Sequence, residues 1–318
     1  MKFLFVMDPL DKINVYGDST FMLMKEVQKR FEHSYFCTPN DLFCINNKSF
    51  GRIKQCLVSF ESPFFTIIKE EEMCLGDFQI IFMRKDPPFD MSYIFATYLL
   101  DLVPKTTLVL NHPHAIRSAN EKMVALQFES FIPKTMVTRE ISRAKNFASE
   151  IANKVVIKPW DGNGGRGVLV SHIKDPNFTS MLEILTKEEI EYIIVQEYIP
   201  EVKKGDKRII LIDGEIAGWM ARIPSEEDHR GNMHVGASIA AFELSERDKE
   251  ICSALRLFLQ ESNLLFVGID IIGEYLTEIN VTSPTGIQEI NKLQNLSLEQ
   301  NIISAALHKY EVYINNAE

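Results

Sequence analysis

The chain has 318 residues and a mass of 36.5 kDa, more than one hydrophobic core usually organises, so we expect about two domains. With 46% apolar and 25% charged residues, it is too apolar for intrinsic disorder and too evenly charged for a membrane protein. A net charge of −10 argues against non-specific binding to nucleic acid or to an anionic membrane surface.

The first third of the chain predicts an α/β sheet. We interpret the apolar run at residues 1–7 as a buried strand rather than a signal peptide, because it is short and lacks a small-residue cleavage site. Helical spacing follows over Phe21–Phe31, and the apolar run Asp77–Met83 predicts a strand covered on both faces. Leu108–Leu110 predicts another strand. The segment Arg84–Asp90 therefore lies at the carboxyl end of a strand, where open α/β sheets bind ligands.

The middle of the chain predicts three further strands and a helix. The β-branched runs that predict strands are Val155–Pro159, Val168–Val170 and Ile193–Val195. Helical spacing predicts a helix over Thr179–Glu191, with Thr179 or Ser180 as its N-cap.

Strands dominate after residue 200. An Asp213-Gly214 pair between apolar runs predicts a hairpin, and Leu244–Ser262 predicts an amphipathic helix. Phe266–Ile272 and Tyr275–Val281 predict a second strand pair. We therefore expect an α+β body behind an α/β N-terminal domain.

Four glycines lie close together between two of the predicted strands: Gly162, Gly164, Gly165 and Gly167. Their spacing fits the dinucleotide-binding fingerprint, but that motif needs a helix after the loop, and here a β-branched run follows. A P-loop is excluded because Val168 stands where Lys-Ser or Lys-Thr is required. We expect a hairpin flap that lies over phosphates through its backbone N–H groups. The alternative is a mobile turn without a ligand.

Glu278 and Asn280 are two residues apart on a predicted strand, so their side chains leave the same face. Oxygen ligands on one rigid face suit Mg²⁺, which keeps its other positions for water and phosphate. With a regular two-residue turn, Asp270 would pair with Thr277 and face away. A three-residue loop or a bulge at Gly273 would bring Asp270 to the same face, and we expect the bulge. The alternative is a polar strand edge that faces water.

Positive side chains that could neutralise phosphate or hold a carboxylate are available near these motifs. Lys122 and Lys158 are candidates for phosphate, and Arg208 and Arg222 begin and end strands that would flank the same site. Each of them taken alone fits an ordinary surface charge better than a site residue.

The cysteines indicate the compartment. Five cysteines form an odd set without a CxxC pair, which argues against zinc and against a disulfide framework. Free thiols are typical of a reducing environment, so we expect a cytoplasmic protein.

Taken in order, the motifs resemble those of the bacterial glutathione synthetases, within the ATP-grasp superfamily. The segments that carry the resemblance are Met83–Asp90, Asn120–Lys122, Lys158–Pro159 with Gly162–Gly167, Gly205–Arg208, Ala221–Pro224 and Thr277–Thr285. The resemblance implies an ATP-grasp fold with three parts: an N-terminal α/β domain at residues 1–120, a lid subdomain with the glycine-rich hairpin at 121–198, and a sheet-based catalytic subdomain at 199–318. A homotetramer is one assembly that the resemblance allows.

The resemblance also implies an activity and partners. Members of the family join γ-L-glutamyl-L-cysteine to glycine, using ATP and Mg²⁺, with Mn²⁺ as an alternative metal. The chemistry agrees with the residues, because acyl-phosphate formation needs positioning and charge neutralisation rather than a protein nucleophile. A ligase with another acyl donor or amine acceptor stays open, as does a nucleotide-binding regulatory protein that has lost catalysis.

Site residues follow from the resemblance motif by motif. It places the nucleotide phosphates at Lys122, Lys158 and residues 162–167, the adenine at Gln196, Glu197, Tyr198 and Ile199, and the ribose at Asp206. It places magnesium at Asp270, Glu278 and Asn280, the reacting carboxylate at Arg208 and Arg222, and the peptide at Arg84, Asp86, Ser283 and Thr285. Glu197 departs from the amide or variable residue expected there.

The polar segment 224–236 is expected to act as a lid that delivers Arg230, or else to be a surface loop without function.

Overall fold

The structure is a computed structural model that describes residues 1–151, 154–162, 164–224 and 238–316. Within these residues the strands form three sheets. The sheets follow one another along the chain, and helices pack against each of them.

The first sheet has seven strands and is built from the first 110 residues. Its elements and the helices beside it are β1 (Phe3–Val6), α1 (Ser19–Phe31), β2 (Ser34–Cys37), β3 (Leu42–Ile45), β4 (Lys48–Val58), β5 (Phe65–Cys74), β6 (Ile80–Met83), α2 (Met91–Leu100), β7 (Leu108–Leu110) and α3 (Pro113–Ser118). The strand order is β3-β4-β2-β1-β6-β7, with β5 paired to β4.

The parallel part of this sheet agrees with the sequence prediction. All four residues of β1 and of β6 are buried, as apolar runs covered on both faces require. The predicted strand over 77–83 begins only at Ile80, because Leu75–Asp77 forms a 3₁₀ turn. The chain leaves the carboxyl end of β6 at Arg84, next to the end of β1.

The second sheet has four antiparallel strands in the order β10-β9-β11-β8. Its elements are β8 (Thr135–Thr138), α4 (Ile141–Ile151), β9 (Lys154–Pro159), β10 (Leu169–His172), α5 (Phe178–Thr186) and β11 (Ile193–Glu197). Helices α4 and α5 bury Ala144, Ala148 and Leu182 against it. The predicted helix over 179–191 is too long and its predicted caps are wrong: α5 begins at Phe178, and it ends at Thr186 because Lys187 takes a left-handed conformation with φ 47°.

The third sheet carries the C-terminal half. Its five strands lie in the order β14-β13-β12-β15-β16, and every pair is antiparallel. The elements are β12 (Asp206–Ile212), β13 (Glu215–Ile223), β14 (Ser238–Ala240), α6 (Glu246–Glu261), β15 (Phe266–Ile272), β16 (Tyr275–Asn280), α7 (Ile287–Gln294) and α8 (Leu298–Asn315).

A shared core joins the first sheet to the third. Phe3 and Phe82 of the first sheet belong to the same buried cluster as Ile210 and Met220 of the third sheet and Ile302 of α8. Helix α6 covers the other face of the third sheet, where its apolar residues pack on Ile209 and Ile269. The N-terminal and C-terminal parts are therefore packed as one body, and the carboxyl end of β6 lies against the third sheet.

Two hairpins of the third sheet were predicted from the sequence. Asp213 and Gly214 both have positive φ, 50° and 81°, as expected for a tight two-residue turn. The β15–β16 hairpin contains the predicted bulge, but at a different place. Its turn at Gly273-Glu274 is regular, with Ile272 opposite Tyr275, and the register shifts between Asp270 and Ile271, so that Thr277 is the extra residue.

No helix in the described part of the chain is both long and apolar enough to cross a bilayer.

The N-cap of α1 gives a pH-dependent stability. Asp18 accepts a hydrogen bond from the backbone N–H of Phe21 at 2.6 Å, yet burial raises its pKa to about 6 against the opposing effects of that bond and of Arg84. A carboxyl whose pKa is higher in the folded than in the unfolded state makes folding less favourable as pH rises from about 4 to about 6.

We predict that Asp18→Asn, which keeps a capping oxygen, raises the melting temperature relative to the parent protein above pH 6, with little difference below pH 4. Thermal unfolding of both proteins across this range tests the assignment. An equal melting-temperature difference at every pH would contradict it.

Candidate functional site

A cavity of about 690 Å³ lies between the glycine hairpin of the second sheet and the open face of the third sheet. The residues predicted from the sequence that line it are Asp86, Lys158, Gly164, Gly165, Gln196, Glu197, Tyr198, Ile199, Asp206, Arg208, Arg222, Asp270, Glu278, Asn280, Ser283 and Thr285. Residues far apart in the sequence therefore meet in one concave site, and both the glycine hairpin and the acidic strands face it.

The hairpin has the strand–loop–strand form that the sequence predicts. Strands β9 and β10 are antiparallel neighbours, with Ile157 opposite Leu169. Gly164 and Gly165 in the connecting loop have φ 60° and 74°, a conformation that other residues rarely adopt. These two glycines line the cavity, so the loop can bring backbone N–H groups close to a ligand there.

The acidic face of the cavity is set by the β15–β16 bulge. Asp270 lies directly opposite Glu278, and the side chain of Asn280 donates to Asp270 Oδ2 at 3.2 Å. The extra residue Thr277 fixes the bulge by donating its hydroxyl hydrogen to the carbonyl oxygen of Asp270 at 3.0 Å. Two carboxylates and an amide oxygen thus share one side of the cavity.

Two arginines surround the inner carboxylate of this face. Arg208 donates to both oxygens of Asp270, at 2.6 and 2.9 Å, and Arg222 Nη2 lies 3.0 Å from Asp270 Oδ1. Burial alone would raise the pKa of Asp270, but Arg208 and Arg222 outweigh it and lower the pKa to about 2. Asp270 is therefore ionised at neutral pH. Arg222 also donates to both carboxylate oxygens of Asp206. The carboxylates of Asp270 and Asp206 raise the pKa of Arg222, although burial acts in the opposite direction.

Lys122 links the acidic face to the glycine hairpin. Its ammonium lies 3.2 Å from Glu278 Oε1 and also donates to the carbonyl oxygen of Gly162. Burial would lower the pKa of Lys122, but Glu278 and Glu121 raise it. The buried ammonium is therefore charged, and it stands between the acidic face and the loop.

Lys158 has a different partner. Its ammonium donates to Gln196 Oε1 at 3.1 Å, and Gln196 is oriented by donating its amide to Thr135 Oγ1 at 2.8 Å. An amide partner compensates burial less than a carboxylate does, and burial lowers the pKa of Lys158 to about 8. In the described wall of the cavity, Arg208 and Arg222 are each paired with a carboxylate, whereas Lys158 is paired with an amide.

Some of the predicted site residues do not reach the main cavity. The guanidinium of Arg84 is buried behind it, where it donates to Thr20 Oγ1 at 3.1 Å and to the carbonyl oxygen of Pro284 at 2.9 Å. The residues that line the main cavity do not include Lys122, Gly162 or Gly167, although Lys122 and Gly162 line a smaller cavity beside it. Arg230 and residues 225–236 of the predicted lid segment lie outside the described residues.

The cavity also contains residues to which the sequence assigned no role. Val168 extends the hairpin wall, and Glu121 and Thr282 lie beside the acidic face. Glu121 was visible in the sequence only as the neighbour of Lys122. The contact of Glu121 with Thr282 cannot be predicted from a local sequence pattern, because the two residues are 161 positions apart.

The donor set fits a magnesium ion. Asp270 is ionised, Glu278 and Asn280 leave the same side of the strand pair, and all three offer hard oxygen ligands next to lysines that suit phosphate. Among the described residues, no group of three or more His, Cys, Asp and Glu side chains could hold a metal ion by itself. A metal here would depend on the amide of Asn280 and on oxygens supplied by a ligand.

Comparison with known families gives two consecutive matches, which together cover most of the chain. The description "Prokaryotic glutathione synthetase, N-terminal domain" matches residues 1–117, and "Prokaryotic glutathione synthetase, ATP-grasp domain" matches residues 121–295. The glutathione synthetase of Synechococcus elongatus is 42% identical over 96% of this chain and 98% of its own. That of Agrobacterium fabrum is 42% identical over 90% of each chain.

Solved structures share the fold at low sequence identity. D-cycloserine synthetase DcsG has a TM-score of 0.65 at 12% identity and is covered over 99% of its length by 98% of this chain. The ATP-grasp ligase PsnB, determined with a precursor variant, Mg and ADP, has a TM-score of 0.61 at 13% identity, with 97% and 98% coverage. Together with the family matches, these likenesses confirm the ATP-grasp fold expected from the motifs.

The lowered pKa of Lys158 predicts how ATP binding depends on pH. The ammonium form attracts phosphate, so affinity for ATP is expected to fall as pH rises above about 8, by up to about tenfold per unit. Lys158→Arg, which stays charged, should flatten this dependence. Calorimetric titration with ATP between pH 6.5 and 9.5 measures it, and a parent protein whose affinity is constant over this range would contradict the assignment.

Proposed function

The chain belongs to the prokaryotic glutathione synthetase family, and we propose that its cavity joins γ-L-glutamyl-L-cysteine to glycine in two steps driven by ATP. The observation that carries this proposal is the cavity itself, in which two acidic strands and a glycine hairpin face each other and Lys122 bridges them. Such an arrangement offers charge neutralisation on both sides of a phosphate chain.

The proposed chemistry needs no protein nucleophile. A carboxylate is a poor electrophile, so the dipeptide carboxylate first attacks the γ-phosphorus of ATP, and the bond from that phosphorus to the ADP oxygen breaks. The glycine amine then forms the C–N bond, loses a proton, and phosphate leaves with the C–O electron pair. Both steps are governed by positioning and by stabilisation of charge.

The nucleotide is assigned to the side of the cavity formed by the second sheet. Lys122, Lys158 and the 162–167 loop would hold the phosphates, and this part of the proposal is supported by their convergence on the acidic face. The segment Gln196–Ile199 would hold the adenine, with Glu197 in the cavity wall, and Asp206 would lie near the ribose.

The reacting carboxylate is assigned to Arg208 and Arg222. Arg208 is buried, Arg222 is largely buried, and both are bound to Asp270, so they present fixed guanidinium groups at the boundary between the acidic face and the peptide side. Forked donors of this kind suit a carboxylate and an acyl phosphate. Arg230 keeps its proposed role as a residue delivered by the lid, which lies outside the described residues.

ATP-grasp ligases use ATP with Mg²⁺. In this chain Asp270, Glu278 and Asn280 would hold the ion, with Mn²⁺ as a substitute. When bound, the ion neutralises charge on the phosphate oxygens. The protein's own contribution is to keep Asp270 ionised through Arg208 and Arg222.

The peptide is assigned to the segment after β16 and to the carboxyl end of β6. Asp86, Ser283 and Thr285 line the cavity and would contact the peptide. Arg84 would act indirectly, because its guanidinium donates to the carbonyl oxygen of Pro284, the residue between Ser283 and Thr285.

Three broader features belong to the same proposal. The domain limits 1–120, 121–198 and 199–318 are supported by sheets whose strands span residues 3–110, 135–197 and 206–280. A cytoplasmic location is supported by five cysteines that are all free thiols. A homotetramer is retained as the proposed assembly, on the family resemblance alone.

We predict that the purified protein releases ADP and phosphate with γ-glutamylcysteine plus glycine, and far less with the dipeptide alone or with D-alanine as the amine. Glu278→Gln should lower turnover by about 100-fold or more, because it removes a carboxylate next to the phosphate site. Coupled ADP release and chromatographic detection of glutathione measure both effects.

The matched control is Glu274→Gln, the same substitution at an exposed position of the same hairpin, which should keep parental activity. Comparable turnover with an unrelated acyl donor or amine would refute the proposed substrates. Full activity of Glu278→Gln would refute the proposed role of the acidic face.

A further inference from the structure

Glu121 lies at the junction where the chain leaves the first sheet for the second. Its side chain lines the main cavity and also the smaller cavity beside Lys122 and Trp160. Within the proposed function, the phosphates, the metal and the reacting carboxylate all have other assigned partners. Glu121 is an acidic group in the wall of the site without an assigned role.

The carboxylate of Glu121 holds Thr282, the second residue after β16. Its Oε1 accepts a hydrogen bond from Thr282 Oγ1 at 2.7 Å and a longer one from the Thr282 backbone N–H at 3.4 Å. The carbonyl oxygen of Glu121 accepts from the N–H of Ile279 at 2.9 Å. Backbone and side chain therefore both attach this residue to the end of β16.

The neighbouring Lys122 holds the same strand through Glu278, at 3.2 Å. The consecutive residues Glu121 and Lys122 therefore both bind β16 or the segment after it. Lys122 does so through Glu278, a predicted metal ligand, and Glu121 through Thr282. If ATP draws the Lys122 ammonium towards phosphate, the contacts of Glu121 remain and keep the backbone of Lys122 in place.

The segment 282–285 is held at three points by side chains from distant parts of the chain. Glu121 holds Thr282, Arg84 donates to the carbonyl oxygen of Pro284, and Arg208 Nη1 donates to the carbonyl oxygen of Thr285 at 3.3 Å. Ser283 lies between the first two of these points, Thr285 is the third, and both residues line the cavity. The conformation of this segment therefore depends on contacts that the segment cannot make by itself.

We propose that Glu121 is a positioning residue that fixes the peptide-binding segment 282–285 in register with the phosphate-binding Lys122. The inference rests on the proposed function, because it takes Ser283 and Thr285 as peptide contacts. Glu121 acts through Thr282 and touches no reacting atom. Its loss should therefore affect the dipeptide more than the nucleotide.

We predict that Glu121→Ala and Thr282→Val each raise KM for γ-glutamylcysteine by about tenfold, as expected when a hydrogen bond to a charged group is lost. KM for ATP should change by less than about threefold. Thr282→Ser, which keeps the hydroxyl, should retain the parental KM. The double variant should be little worse than either single one, because both remove the same contact.

The matched control is a second carboxylate–threonine pair, whose two residues are not among those that line either cavity. Asp41 Oδ2 accepts from Thr38 Oγ1 at 2.7 Å and from the Thr38 backbone N–H at 2.8 Å, the same pair of contacts in a surface turn. Asp41→Ala should leave both KM values unchanged. Steady-state kinetics with each substrate varied in turn, together with melting temperatures, give the comparison.

The possible outcomes distinguish a failure of the proposed function from a failure of the proposed role of Glu121. A parent protein that makes no glutathione refutes the proposed function, and the role of Glu121 falls with it. An active parent whose Glu121→Ala variant keeps its dipeptide KM, or loses dipeptide and ATP affinity equally, refutes the role of Glu121 alone. Failure of Thr282→Ser to retain the parental dipeptide KM would also contradict the role.

Discussion

The ammonium of Lys122 is the contact on which the arrangement of the site depends. It is buried, and it is bound on one side by Glu278 of the third sheet and on the other by the carbonyl oxygen of Gly162 in the hairpin of the second. A buried cation is stable only when oxygen atoms surround it. The requirement to satisfy this one charge therefore brings the acidic face and the glycine loop to opposite sides of the same cavity.

The other cations of the cavity show how a phosphate chain would be received. Arg208 and Arg222 are already paired with carboxylates, whereas Lys158 has only the amide of Gln196, and its pKa is correspondingly low. A polyanion that binds Lys122 would replace the carboxylate of Glu278 as the partner of its ammonium. A polyanion that binds Lys158 would give that ammonium a negatively charged partner in addition to the neutral amide of Gln196. This distribution favours a ligand that brings negative charge to the lysines while the arginines stay fixed around Asp270.

Much of this could be predicted from the sequence where local patterns determine the structure. The β-branched run after Gly167 excluded a helix and hence a dinucleotide fold, and the two-residue spacing of Glu278 and Asn280 placed them on one face. The bulge was predicted because Asp270 had to reach the same face. Its position at Thr277 rather than Gly273 could not be predicted, because both places satisfy the same alternation.

Other features depend on contacts between distant segments. Arg84 belongs to a recognisable motif, but only the packing of β6 against the third sheet shows that its guanidinium is buried against Pro284. Strands β3 to β5 were missed because they are partly exposed, and β5 carries three consecutive glutamates, so no continuous apolar run marks it. The contact between Glu121 and Thr282 is likewise a property of the fold rather than of either local sequence.

The account is tested most directly by a crystal structure of the protein with Mn²⁺ and a non-hydrolysable ATP analogue, with the metal located by its anomalous scattering. The account predicts an anomalous peak among the side-chain oxygens of Asp270, Glu278 and Asn280, with the phosphates between this face and the 162–167 loop. A peak away from these three residues, or phosphates bound outside the space between the strands and the loop, would contradict it.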